Sequence, residues 1–321
     1  MVRYFINRII MIIPIIIGVT IFIFLLLSIA PGDPARIVLG SNATEEQLDM
    51  WREQNGLKDP LPIQYLRYMS NAVRGDFGIS YATRQSVNLM IGSRVGNTLF
   101  LALTSMAFTI IVALFIGIGM ALKQNSFFDN FMRVLTVIFT AMPQFWMALV
   151  MILLFTVNLG WLPSSGLGTF KQAIMPILCL AFGGITHCAR TGRASIIEVL
   201  SKDYIRTARA KGLRNSDIIR RHVLKNAMLP MVSVYGRIIS TCFGGSVVLE
   251  SVFGITGIGT MLTQALGQKD TPAIMGSVII SACVITIVSL LTDLAYSFVD
   301  PRIRSKFVSY RRKAKAVTAN D

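Results

Sequence analysis

Along the chain, long and nearly uninterrupted apolar runs are separated by shorter polar stretches. A bilayer core of roughly 30 Å needs about 20 helical residues at 1.5 Å each. Six runs meet or approach that length, at 9–30, 98–122, 134–157, 173–189, 231–252 and 273–299. They predict an all-α, polytopic membrane protein of about six transmembrane helices. The fourth run is the weakest, because Pro176, Gly183, Gly184 and His187 interrupt it. The first follows Arg3 and Arg8 and ends Ser28-Ile29-Ala30, the outline of a secretory leader. It is longer than the 7–15 apolar residues of such a leader, and Pro31 and Pro34 follow at once, so it reads as a retained first span.

Charge orients these runs. The net charge is +15, from 31 Lys and Arg against 16 Asp and Glu. In a membrane protein such an excess marks cytoplasmic loops rather than a nucleic-acid partner. With the N-terminus inside, the cytoplasmic side holds Arg3, Arg8, Lys123, Arg133, the loop 190–230 and the tail from Arg302 to Lys315. Residues 190–229 alone carry ten Lys and Arg against three acids, while the two short outer loops offer only Lys171 and Lys269. The expected topology is N-in, C-in.

The domain plan follows: 1–30 as the cytoplasmic end and first span, 31–97 as an extracytoplasmic cap, 98–299 as the core with the loop 190–230, and 300–321 as a basic cytoplasmic tail. The cap has seven basic and seven acidic residues, and long loops cross largely regardless of charge. In it, Thr44-x-x-Gln47 has the form of a capping box, and residues 63–73 have the pattern of a short amphipathic helix.

With 15% charged residues and a mean hydropathy of +0.61, the chain falls outside the soluble class, which carries about 25%. Cys179, Cys188, Cys242 and Cys283 lie in apolar runs without paired spacing and read as small buried apolar residues. No phosphate-binding Gly-rich loop ending Gly-Lys-Ser/Thr is present, nor a zinc or nucleophile motif. Gly254-Ile255-Thr256-Gly257-Ile258-Gly259 follows a span and lacks the strand a dinucleotide site needs, so its glycines read as turn residues. The expectation is a chain without catalysis or a cofactor of its own.

The most informative segment is Asp203-Tyr204-Ile205-Arg206-Thr207-Ala208-Arg209-Ala210-Lys211-Gly212-Leu213, continuing through Arg220-Arg221-His222 to Asn226-Ala227-Met228-Leu229-Pro230. It predicts two short helices joined at a glycine. Ile205, Ala208 and the Gly212-Leu213 pair share one face at helical spacing, and Gly212 stands where a left-handed cap belongs. Arg209 and Lys211 complement the helix dipole. Asn215 or Ser216 is expected to cap the second helix, and Pro230 to stop it before the fifth span. A solvated basic loop explains the charge but not the ordered helix signals. A DNA-binding helix pair is disfavoured by the two membrane anchors that flank it. A rigid docking element for a cytoplasmic partner explains both.

This loop resembles the coupling segment of ABC-importer permeases of the dipeptide, oligopeptide and nickel branch. Landmarks along nearly the whole chain agree: Pro31-Gly32-Asp33-Pro34, Asp59-Pro60 with Gln64-Tyr65, Gly75-Asp76-Phe77-Gly78-Ile79-Ser80, Glu250-Ser251-Val252-Phe253 with Gly257-Ile258-Gly259, and Asp300-Pro301-Arg302-Ile303-Arg304. There are departures. Arg206-Thr207-Ala208 stands where the broad pattern begins Glu-Ala-Ala, so an ion pair from that Glu does not carry over. The gap from Gly212 to Pro230 is longer than in the broad pattern but suits the peptide branch, and Thr256 replaces a common proline.

The resemblance implies a type I importer permease fold in the plasma membrane, in contact with lipid and not with nucleic acid. It implies a second homologous permease, two cytoplasmic ATPases that bind ATP and Mg, and an extracytoplasmic solute-binding protein. It places ATPase coupling on Tyr204, Arg206, Thr207, Ala208, Ala210, Lys211, Gly212, Leu213, His222, Asn226 and Pro230. The implied solute is a di- or oligopeptide, with a nickel chelate or glutathione as alternatives. Among polar residues of the spans, Gln144, Asn158, Arg237, Glu250 and Asp293 are default candidates for function. Asp293 and Glu250 are carried forward as substrate-path candidates. The rival classes are a secondary transporter, which expects repeats or matched broken helices, and a membrane-anchored nucleic-acid binder.

Overall fold

The structure, a computed structural model, describes residues 2–30, 32–40 and 42–299, and their side chains except those of 2–9, 11, 12, 229, 232, 233, 237, 239 and 292–299. The tail 300–321 with its basic run, and the side chains of Arg237 and Asp293, lie outside the described residues. Long helices α1 (Val2–Ile29), α5 (Val87–Leu122), α8 (Phe170–Leu200), α11 (Leu224–Val252) and α13 (Thr271–Val299) occupy five of the six predicted places. Three short helices, α2 (Pro34–Leu39), α3 (Glu45–Gln54) and α4 (Leu61–Val73), lie between α1 and α5.

The third place holds a broken helix. The apolar run is interrupted at Met142-Pro143, between α6 (Phe127–Ala141) and α7 (Gln144–Met151), which a π-helical stretch Ile152–Asn158 continues. Proline cannot donate the bond that would carry α6 onward. By length and composition three helices of the described residues can cross a bilayer, or four if α6 and α7 with its continuation count as one span; α1 adds the apolar stretch Ile13–Ile29. The remaining elements are α9 (Asp203–Ala210), the single turn α10 (Asn215–Asp217) with the π-helical Ile218–Val223 after it, and α12 (Ile258–Gln268).

Contacts divide the chain into two compact units. The first comprises 1–104, 144–180 and 242–286. Here α5 starts eleven residues before the apolar run that announced it. Val87, Met90 and Ile91 fall on one face of this extension and pack with Ile258, Met261 and Ala265 of α12 and Ala273 and Ile274 of α13. In the same unit Ala35, Leu48 and Trp51 form the small core of α2 and α3. The predicted capping box is present, with Thr44 Oγ1 accepting from Gln47 N and Gln47 Oε1 from Thr44 N. The loop before α13 ties this region down: Asp270 accepts from Ser80 Oγ and from Tyr81 N at 3.1 Å, and Lys269 Nζ donates to Ala30 O at 2.9 Å.

The second unit comprises, of the described residues, 105–143, 181–241 and 287–299. Its helices approach through small residues. A Cβ at Gly117 would stand 3.0 Å from Ala189 O, and one at Gly184 would stand 2.8 Å from Thr109 Cγ2. Small residues let backbones approach closely where no hydrophobic effect drives helices together. The fourth run, read as interrupted at Pro176, Gly183, Gly184 and His187, is a continuous 31-residue helix with Pro176 inside it. Of these residues, Gly184 is a packing surface. Large apolar side chains such as Phe22 of α1 (61% exposed) and Phe115 of α5 (69%) point outward, as lipid contact demands and water does not.

Candidate functional site

The loop singled out in the sequence is built on an apolar anchor. In α9, Ile205 and Ala208 are buried against Ala121 of α5, Ile196 and Val199 of α8, and Ile218, Val223 and Ala227 beyond the turn. Full burial of an isoleucine side chain contributes roughly 1.5–3 kcal/mol relative to exposure, enough to hold a helix of eight residues that would not persist alone. Ala208, expected to face a partner, is one of these anchors. Tyr204, Arg206, Thr207, Ala210, Lys211 and Leu213 are exposed, and His222 is half-buried.

The end of α9 is a Schellman cap. Gly212 has φ +77°. Its N–H donates to Arg209 O at 3.0 Å, and Leu213 N donates to Ala208 O at 3.3 Å. These are the paired bonds that this motif makes across a left-handed residue. Nothing lies within 4 Å of where a Gly212 Cβ would stand, so backbone conformation alone demands glycine here.

Two expectations are corrected beyond Gly212. Neither Asn215 nor Ser216 caps the next helix. Arg214 occupies the cap position without a side-chain bond, and its carbonyl accepts from Asp217 N and Ile218 N. Pro230 does not stop that helix either, since it lies inside α11. Asn226 and Pro230 are both exposed, so the carbonyl that proline leaves without an amide partner is not sealed in a core. The π-helical turn before α11 has already widened the coil, with Leu224 N bonded to Ile219 O.

Two residues the sequence did not single out pair α6 with α8. Asp129, at the start of α6, has no solvent exposure and accepts from Arg193 Nε at 2.7 Å and Nη2 at 2.8 Å. Asp129 also accepts from Asn125 N at 2.9 Å, while Ser126 Oγ accepts from Asp129 N. The spacing Ser126-x-x-Asp129 is a helix-start signal legible in the sequence. Its pairing with Arg193, 64 residues on, is not.

In the first unit, Glu250 is completely buried. Its carboxylate accepts from Thr98 Oγ1 at 2.7 Å and from Thr260 N at 3.1 Å. A Cβ at Gly257 would overlap this carboxylate, and one at Gly259 would overlap Val247 Cα. The glycines are there for close approach as much as for turning, although Gly254 does turn, at φ +59°. Of the other polar candidates, Gln144 is half-buried and Asn158 exposed. Cys179, Cys188 and Cys242 are buried as expected, while Cys283 is only half-buried. Among the described residues no cluster of His, Cys, Asp or Glu could hold a metal ion.

The described residues are mainly helical, with a basic, anchored and capped loop between two long apolar helices. Their fold is that of solved importer permeases: a chain of the inward-facing MetNI methionine ABC transporter superposes with a TM-score of 0.56 at 21% identity, over 66% of this chain and 97% of that one. Residues 113–305 match the family described as binding-protein-dependent transport system inner membrane component, and residues 1–102 match its N-terminal companion. The chain belongs to this family and is the permease subunit of an ABC importer, a transport protein and not an enzyme. It is 37% identical to the glutathione transport system permease protein GsiC of Escherichia coli strain K12, over 95% of this chain and 100% of the relative. It is 35% identical to the oligopeptide transport system permease protein AppB of Bacillus subtilis, over 94% and 99% respectively.

Proposed function

We propose that this chain forms one half of the translocation path of a peptide importer of the plasma membrane, crossing it six times with both termini inside. A second, homologous permease supplies the other half, and two cytoplasmic ATPases bind ATP and Mg. An extracytoplasmic protein delivers the solute. The segment 203–230 docks on an ATPase through the exposed Tyr204, Arg206, Thr207, Ala210, Lys211 and Leu213, with Ala208 as its inward anchor. The Schellman cap at Gly212 carries this reading, because only a stiff element transmits motion between a closing ATPase pair and the helices behind it. The energy passed on is the difference in docking between the two states. Asp293 and Glu250 remain substrate-path candidates, Glu250 through the loop it holds rather than by direct contact.

Relatives named for oligopeptide and glutathione transport favour a peptide-like solute. The test is uptake by vesicles holding the complete complex with its binding protein. Labelled tripeptide and glutathione should enter only with ATP and all subunits present, and this chain alone should hydrolyse no ATP. Uptake without the ATPases would establish a secondary transporter instead. For topology, a maleimide applied from outside should reach a cysteine at Asn55 and fail to reach one at Asn215.

A further inference from the structure

The first unit contains a cleft of about 280 Å3, lined by Arg94 of α5, Ser251 at the end of α11, Gly254, Ile255 and Thr256 of the following turn, and α12 through Thr260, Thr263 and Gln264. We infer that this cleft is a subsite for the carboxylate of the transported solute, with Arg94 as its cation. Arg94 lies ahead of the apolar run of α5 and is half-buried. Among the described residues it has neither a carboxylate partner nor a side-chain hydrogen bond. The nearby acid, Glu250, is fully buried and engaged by Thr98 Oγ1 and Thr260 N. No acidic side chain lines the cleft.

The rest of the lining suits the same ligand. Ser251, Thr256, Thr263 and Gln264 are exposed and bring three hydroxyls and an amide. Ser251 Oγ and Thr263 Oγ1 lie 3.4 Å apart. Thr256 puts a hydroxyl on this wall. That hydroxyl is held in place by Asn97 Nδ2 at 3.2 Å, one helical turn beyond Arg94. A guanidinium presents paired N–H donors in the geometry a carboxylate accepts. The volume lies at the small end of ligand pockets, which run to roughly 300–1,000 Å3. It accommodates the terminal residue of a peptide rather than its whole length.

This assignment rests on the peptide-importer reading, and the experiment separates the two. Vesicles with the complete complex and its binding protein are given a tripeptide as free acid or as its C-terminal amide, with wild-type, Arg94→Gln or Arg94→Lys permease. Wild-type uptake of the free acid tests the importer reading; if neither tripeptide enters, both readings fall. With wild-type uptake present, Arg94→Gln should lower free-acid uptake about 10- to 100-fold, the range for losing one charged hydrogen-bonding partner. Amide uptake should be unchanged, and Arg94→Lys should recover part of the free-acid rate. Equal losses for acid and amide would make Arg94 structural or a lipid-headgroup contact, and no loss for either would make it idle. Each of those results overturns the subsite and leaves the importer reading intact.

Discussion

Arg193 of α8 reaches back 64 residues to grip both carboxylate oxygens of Asp129, at 2.7 and 2.8 Å. The acid is completely buried and the arginine side chain 19% exposed. A pair so placed gains little over an apolar replacement of both partners, but removing Arg193 leaves the buried acid only the half-exposed Arg133, whose Nη2 lies 3.5 Å away.

Arg193→Leu should therefore destabilise the protein by about 3–5 kcal/mol, the range for breaking a buried pair. The double replacement Asp129→Leu with Arg193→Leu should recover much of that loss. Thermal unfolding of the purified chain in detergent measures both. A double variant no better than the single would show that Asp129 matters through its other partners, Asn125 N and Arg133, instead.

Glu250, near the end of α11, makes a second, independent case. Thr98→Val removes the hydroxyl that donates to its carboxylate at 2.7 Å and should cost about 1–3 kcal/mol, the range for leaving a buried group unsatisfied. Gly259→Ala places a methyl against Val247 Cα and should cost a similar 1–3 kcal/mol by overpacking. Because both changes act on one cluster, their effects should not add. Additive losses in thermal unfolding would show that Thr98 and Gly259 do not act through a shared carboxylate.

The cap between α1 and α5 should weaken in acid. Burial by itself would raise the Asp33 carboxyl. The Arg52 hydrogen bond, the Ala35 N–H and the charges of Arg52 and Arg36 outweigh it and hold the group below the ordinary carboxylate value. A carboxyl lowered in the folded state contributes stability above its unfolded value, about 3.9, and that contribution is lost as pH falls through the folded one. Trp51, buried in the same small core, reports on it. With Trp146 and Trp161 replaced by Phe, Trp51 emission should shift to the red below about pH 4. Asp33→Asn should weaken the cap at neutral pH and reduce the acid dependence. An acid transition unchanged by Asp33→Asn would place its origin in another carboxylate.

What was legible in the sequence, and what was not, divides by the range of the interaction. Apolar runs long enough for a bilayer announced the spans, and Ile205, Ala208 and Gly212 announced a capped helix, because each signal lies within a few residues. The early start of α5 did not show, since Val87, Met90 and Ile91 are separated by polar residues and gain their meaning only against α12 and α13. The proline rule cut both ways. Pro143 breaks a helix that the apolar run carried through, while Pro230 sits inside one. Arg94 drew no notice in the sequence, because the cleft it lines is completed by residues about 160 positions away.

Gly212 gives the most direct test of coupling. Its φ of +77° is a conformation that costs a side-chain-bearing residue roughly 1–2 kcal/mol, and more when it is β-branched. No neighbour stands within 4 Å of the missing Cβ, so a substitution acts through the backbone and not by collision. Gly212→Val should break the bonds from Gly212 N and Leu213 N that close α9, freeing the end that carries Lys211 and Leu213. Ile205 and Ala208 remain anchored, so insertion and assembly should survive. The expected result is an intact complex whose ATPase no longer rises when solute-loaded binding protein is added, with uptake lost in parallel. Gly212→Ala should keep most of the stimulation, and Gly212→Asn more than Val, because Asn tolerates the left-handed region. A flexible, merely solvated loop predicts wild-type stimulation from all three. Full stimulation with Val, measured in vesicles, would sink the coupling role of this segment.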